Sequence, residues 1–203
     1  MKNFFVLILS ALGRMWRDPL QRVFLIACVL TLAIWILLIG PPEFTNASIA
    51  PKTGSPILDL QLVESTEQAR LILGDVPSTN RETMRLKTYQ DFAYIPCYAL
   101  LFITAGLLVV RRGRSNPHAD SWIPFAGYVT ATSGLAAGIA DVFENLAILT
   151  LLDTPIADTT QAMLDAIRQP AVIKWALIAI GLLSGALAMA FSGAATKTDS
   201  SNP

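Results

Sequence analysis

Residues 124–152 read PFAGYVTATSGLAAGIADVFENLAILTLL, and the fold turns on how they are read. The stretch is twenty-nine residues long and apolar, yet Asp141, Glu144 and Asn145 fall within five positions of one another. A helix needs ~20 apolar residues to cross ~30 Å of hydrocarbon. At ~1.5 Å per residue this stretch reaches roughly 43 Å, enough to cross with tilt. Each Asp-type charge at the centre of such a helix costs ~2.5–3.5 kcal/mol on insertion scales. A partner, water, a ligand or a neutralising proton must therefore face them. Gly127, Gly134, Gly138, Asp141 and Asn145 follow three- and four-residue steps and share one helix face, with Glu144 flanking it. Gly134 and Gly138 form a small-xxx-small pattern that admits a neighbouring helix. The polar group is expected to point into a bundle, away from lipid.

Composition agrees with a membrane chain. Of 203 residues, 53% are hydrophobic, and the formal net charge is zero. Zero net charge gives no electrostatic footprint for nucleic acid. The two cysteines, Cys28 and Cys97, lie in apolar segments without C-x-x-C or metal-finger spacing, and read as buried free thiols. His118 is the one histidine, too few for a His-based metal cage.

Four spans are expected, at about 19–39, 92–110, 124–152 and 170–191. Residues 1–17 carry Phe4, Leu7, Ile8, Ala11, Leu12 and Met15 at helical spacing and read as an interfacial helix. An uncleaved leader is the alternative. Asp18-Pro19 is a helix start: an N-cap followed by proline in the first turn. Gly40-Pro41-Pro42 stops the first span. Residues 41–91 form an extracytoplasmic segment, too small for a core of its own and expected to lie over the mouth of the bundle. In it Leu58, Leu60 and Leu62 alternate with Asp59 and Gln61, which predicts a short strand. Ser65-Thr66-Glu67-Gln68 is a capping box before a short helix that Gly74 closes. Thr79-Asn80-Arg81-Glu82 is a second capping box, opening a wet amphipathic helix that enters the membrane near Phe92, with Pro96 a site for a kink. Residues 156–169 read as a separate surface helix with Met163, Leu164 and Ile167 on one side, and Pro170 opens the fourth span. Residues 193–203 read as a disordered tail.

Basic residues set the orientation. Lys2, Arg14, Arg17 and Arg22 flank the first span, and Arg111, Arg112 and Arg114 follow the second. The link between the last two spans has only Arg168 and Lys174. The positive-inside rule puts both termini in the cytoplasm of a cell with an inner (plasma) membrane. Trp16 and Trp122 then belong to the inner interface, Trp35 and Trp175 to the outer.

In this topology Asp91, Tyr94 and Tyr98, on one face of the second span, reach the depth of Asp141, Glu144 and Asn145. These six are the candidate ligand-binding residues. Paired carboxylates can share a proton or do acid–base work, and several oxygens can hold a hard cation. A polar pocket there could also take a lipid headgroup. The plainer reading is interhelical glue, with Lys87 or Arg85 as counter-charge. No catalytic residue, metal or cofactor can be named. There is no G-x-S-x-G elbow, no H-E-x-x-H and no phosphate-binding glycine loop.

Three short motifs carry a resemblance: Leu58-Asp59-Leu60-Gln61-Leu62 followed by Thr66-Glu67-Gln68-Ala69-Arg70, the stretch from Asp91 to Tyr98, and Asp141-Val142-Phe143-Glu144-Asn145. Over about residues 55–150 the chain resembles a poorly characterised bacterial family of four-span integral membrane proteins with D-x-x-E-N in the third span. The resemblance implies the architecture and no activity.

The expectation is an all-α membrane bundle of four helices with an interfacial helix and a small extracytoplasmic cap. It would bind a small ligand, lipid or ion at the carboxylate and tyrosine cluster, as a transporter or sensor subunit. The alternatives are a lipid-modifying enzyme with Asp141 and Glu144 as acid–base pair, and a structural or assembly factor. Expected partners are membrane lipid, a small molecule or ion, and a second copy docking through the Gly134/Gly138 or Gly181/Gly185 faces.

Overall fold

The computed structural model describes residues 18–39, 56–74, 78–116 and 120–194. The expected interfacial helix at 1–17 lies outside them, as does the tail beyond Ala194. The fold is an all-α bundle: six helices and a 3-10 turn, with no strand among the described residues. In chain order these are α1 (Pro19–Ile39), α2 (Pro56–Gln61), α3 (Thr66–Leu73), α4 (Thr79–Ser115), α5 (Trp122–Asp153), the turn Ile156–Asp158, and α6 (Gln161–Ala194). The helices α1, α4, α5 and α6 are each long and apolar enough to cross a membrane.

The distribution of side chains is the reverse of a water-soluble bundle. Val29, Trp35, Leu37, Phe125, Ile139, Phe143, Leu182, Leu183 and Phe191 are exposed, whereas Arg81, Lys87, Asp141, Glu144, Asn145 and Lys174 are buried. Large contiguous apolar surface is tolerated where lipid covers it, and ionisable residues in such helices turn inward.

Several starts and stops follow the sequence. Asp18 caps α1: the Leu20 amide donates to its Oδ1 at 3.0 Å. Ser65 caps α3, accepting from the Gln68 amide at 3.2 Å, while Gln68 Oε1 reaches back to the Glu64 amide at 2.8 Å. Gly74 ends α3 with φ of 71°, a left-handed backbone that glycine adopts without strain.

Three expectations need correction. Residues 58–62 begin in helix α2 and form no strand. Pro56 suits a first helical turn, and Ile57, Leu60 and Gln61 fall at helical spacing on the inward side. Five alternating residues were too few to fix the period. The cap of α4 is Ser78, one residue before the expected box: its Oγ accepts from the Arg81 amide at 3.2 Å and donates to the Leu73 carbonyl. Pro170 opens nothing. It lies inside α6, which begins at Gln161 after Thr160 receives the Met163 amide. Apolar contacts carry the helix past the proline, because Leu164, Ile167, Ala171 and Lys174 form one buried stripe at three- and four-residue steps. Likewise α4 runs unbroken through Pro96.

The contacts divide the chain into two units, to which each long helix contributes a part: residues 1–31, 97–135 and 178–203, and residues 32–96 and 136–177. The first unit is built on small residues. A Cβ on Gly106 would meet the Ala131 amide at 2.7 Å, and one on Gly127 would meet the Gly106 carbonyl at 2.6 Å. Gly134 and Gly181 both receive the Phe102 ring, and Gly185 faces Thr130. Thr130 Oγ1 donates to the Gly181 carbonyl at 3.2 Å. Gly134 of the expected Gly134/Gly138 face, and both Gly181 and Gly185, thus pack against residues of the same chain. Cys28 and Cys97 are free and half-buried.

The second unit holds the cap. Leu60, Val63, Ala69 and Leu73 from α2, α3 and the turn between them share one core with Met84 of α4, Ile148, Leu151 and Leu152 of α5, and Leu164 and Ile167 of α6. Among the described residues, the core of the cap is the one it shares with the helix ends. Arg81, almost wholly buried, fastens it. Its Nη1 donates to the carbonyls of Leu151, Leu152 and Thr154 at 3.0–3.1 Å, and its Nε to that of Gly74 at 3.2 Å. One guanidinium thereby satisfies carbonyls that the end of α5 leaves open.

Candidate functional site

The second unit brings together three stretches of α4, α5 and α6. Asp141, Glu144 and Asn145 stand at i, i+3 and i+4 on α5, so one face carries all three, and each is at least 98% buried. Phe143, between them in sequence, points outward. Glu144, expected to flank the face, is its most buried member, with no exposed surface.

The sequence reading missed the fourth member, Lys174 of α6. Its Nζ donates to Asp141 Oδ1 at 2.7 Å. Glu144 Oε2 lies at the same 2.7 Å from that nitrogen, so the one ammonium forms an ion pair with both acids. Glu144 Oε1 is buried and has no hydrogen-bond partner. The ammonium also lies 5.5 Å from the centre of the Trp175 ring, whose Nε1 donates to Gln61 Oε1 of the cap at 3.2 Å.

From α4, Asp91 Oδ2 accepts a hydrogen bond from Asn145 Nδ2 at 2.9 Å. Asp91 is half-buried, within electrostatic reach of Asp141 and Lys174, and Glu144 lies within reach of Asp91. Of the six residues expected at the site, Asp91, Asp141, Glu144 and Asn145 thus meet. Tyr94 is half-buried one turn along α4. Tyr98 is buried and belongs to the other unit.

The expected counter-charges have other duties. Arg85 pairs with Asp153 at 2.7 Å, and Lys87 Nζ donates to the Leu37 carbonyl at 3.3 Å. Lys174 escaped notice because Pro170 suggested a helix start, which placed the lysine near a membrane boundary. In a helix that begins at Gln161 it lies roughly 20 Å along the axis. The signal that could have found it is the stripe Leu164, Ile167, Ala171, Lys174, which carries an inward helical period straight through the proline.

Three carboxyl groups here face one ammonium. Fully ionised, they would leave two negative charges uncompensated, in helices where each such charge is costly. The arrangement can therefore bind positive charge. Among the described residues no three His, Cys, Asp or Glu side chains are placed to hold a metal ion.

These features define a bundle of four membrane-type helices with a buried ionic centre. No protein-family model matches the chain, and no curated protein and no solved structure does so either.

Proposed function

We propose that this chain is a multi-pass protein of a bacterial inner (plasma) membrane, with both termini cytoplasmic, that binds a small ligand or ion at its buried ionic centre. It works as a transporter or sensor subunit of the four-span D-x-x-E-N kind. The binding residues are Asp91, Asp141, Glu144, Asn145 and Lys174. One observation carries the reading: Glu144 is wholly buried, and its Oε1 has no hydrogen-bond partner. A carboxylate kept for cohesion alone would have both oxygens satisfied, since an unsatisfied buried acceptor costs ~1–3 kcal/mol. Arginines around the first two spans support the orientation, and exposed apolar faces support lipid as the surrounding partner.

Native mass spectrometry of the detergent-purified chain, beside Asp141→Asn/Glu144→Gln, tests the reading. A lipid or small-molecule adduct, or a retained ion, on the parent and not on an equally folded variant is the expected result. Identical spectra from two equally stable proteins would exclude every ligand but a proton.

A second reading has its own support. The Asn145–Asp91 hydrogen bond joins α5 to α4, which is what interhelical glue requires. A double-mutant cycle on Asn145→Ala and Asp91→Ala measures that joint, with a coupling of about 0.6 kcal/mol expected and ~1.7 kcal/mol as its ceiling. Coupling at the ceiling, with ligand binding untouched by either substitution, would favour a structural role.

A further inference from the structure

We infer that the ligand of this centre is a proton, held by Glu144 against Lys174, Asp141 and Asp91. The inference rests on reading the cluster as a binding site and names what occupies it.

The three carboxyl groups have different surroundings. Asp141 Oδ1 receives the Lys174 ammonium, Asp91 Oδ2 receives the Asn145 amide, and the two aspartates are within hydrogen-bond reach of each other. Glu144 has Lys174 Nζ 2.7 Å from Oε2 and no hydrogen-bond partner within the chain at Oε1. It is the wholly buried one of the three, and a carboxyl so buried is cheaper to hold neutral than charged. A hard metal ion is held by several oxygens, and among the described residues no three His, Cys, Asp or Glu side chains are grouped to hold one. A proton needs one oxygen.

The groups that face Glu144 come from three helices: Asp91 of α4, Asp141 of α5 and Lys174 of α6. Uptake places one hydrogen ion on Glu144, forming one O–H bond and breaking none, and the charge of the centre rises by one. Asp91 is the one half-buried carboxylate of the three.

Infrared difference spectroscopy of the full chain in lipid nanodiscs, from about pH 5 to about pH 9, reads this directly. A protonated-carboxyl C=O band is expected to titrate across that range. It should shift in protein grown with 13C-labelled glutamate and stay put with 13C-labelled aspartate. It should vanish in Glu144→Gln. The labelling arm uses the parent chain, and Glu144 is the one buried glutamate among the described residues, so a glutamate band in this range points to it even if the variant fails to fold. No titrating band, or a band that follows the aspartate label, overturns the proposal. Thermal unfolding with added sodium or magnesium chloride then separates the two readings. Ion-specific stabilisation without a glutamic-acid band keeps the binding site and removes the proton. Neither signal, together with identical native mass spectra, removes both.

Discussion

Lys174 Nζ stands 2.7 Å from Glu144 Oε2, and the two residues belong to different helices, each long enough and apolar enough to span a bilayer. The same ammonium holds Asp141, so one cation on α6 contacts two carboxyl groups on α5. Water cannot compensate for its removal, because the lysine and both acids are buried. Lys174→Met is expected to destabilise the chain by about 3–5 kcal/mol, the usual cost of breaking a buried pair from one side. The triple variant Lys174→Met/Asp141→Asn/Glu144→Gln should recover most of that loss, since the half-buried Asp91 is then the one carboxylate of the centre left without its cation. Thermal unfolding in detergent compares the three proteins. A single variant as stable as the parent would show that the pair holds nothing together.

Ser78 makes a narrower test. Its hydroxyl joins the end of α3 to the start of α4, accepting from the Arg81 amide and donating to the Leu73 carbonyl. Ser78→Ala should cost ~1 kcal/mol, within the ordinary range for an N-cap serine. Thr79→Ala, at the position the sequence pattern favoured, should be close to neutral. Chemical denaturation of both variants settles which residue is the cap. Equal losses would mean that the two hydroxyls share the role.

How far the sequence could be read depended on how local each signal was. The four long helices were legible from apolar length alone, and so were the caps at Asp18 and Ser65, whose partners lie two to four residues away. The D-x-x-E-N group stood out as a candidate site because charge inside an apolar run is expensive. Its partner on α6 was not legible. A proline four residues upstream made Lys174 look like a boundary residue, and nothing local says that packing will carry a helix through Pro170. The helix at Pro56–Gln61 was hidden for a related reason. In five residues, alternation and a helical face share positions, and only the core that Leu60 enters decides between them. The placement of Tyr98 was a question of which unit each turn of α4 serves, and spacing along one helix cannot answer it.

Within the first unit, the approach of α4 to α5 depends on backbone meeting backbone. A methyl group on Gly106 would collide with the Gly127 carbonyl and the Ala131 amide, neither of which can rotate aside. Gly106→Ala is therefore expected to destabilise by about 1–3 kcal/mol, as over-packing does elsewhere, despite alanine's better helix propensity. Gly127→Ala should behave alike, because its new methyl meets the Gly106 carbonyl. Thermal unfolding in detergent measures both. If either variant matched the parent, the helices would have to part freely at this point, against the small-residue packing described above.

At the other extreme of exposure, Asp18 and Arg111 pair across the start of α1 and the last turns of α4. The guanidinium beside Asp18 holds its carboxyl below the ordinary aspartate value of 3.8, and the Leu20 and Gln21 amides act in the same direction. A carboxyl group whose folded value is depressed favours the folded state at every pH above its unfolded value. That contribution fades as pH falls through the folded value, when the proton takes the place of the ion pair. The attachment of α1 should thus hold at neutral pH and weaken only in acid. Observed by carbon NMR in detergent, the Asp18 carboxyl should titrate below its free value and move back up in Arg111→Gln. Because Arg111 is half exposed, added salt should also move it upward by screening the pair. An Asp18 titration that ignored both the substitution and the salt would show that the helix start, and not Arg111, sets its acidity.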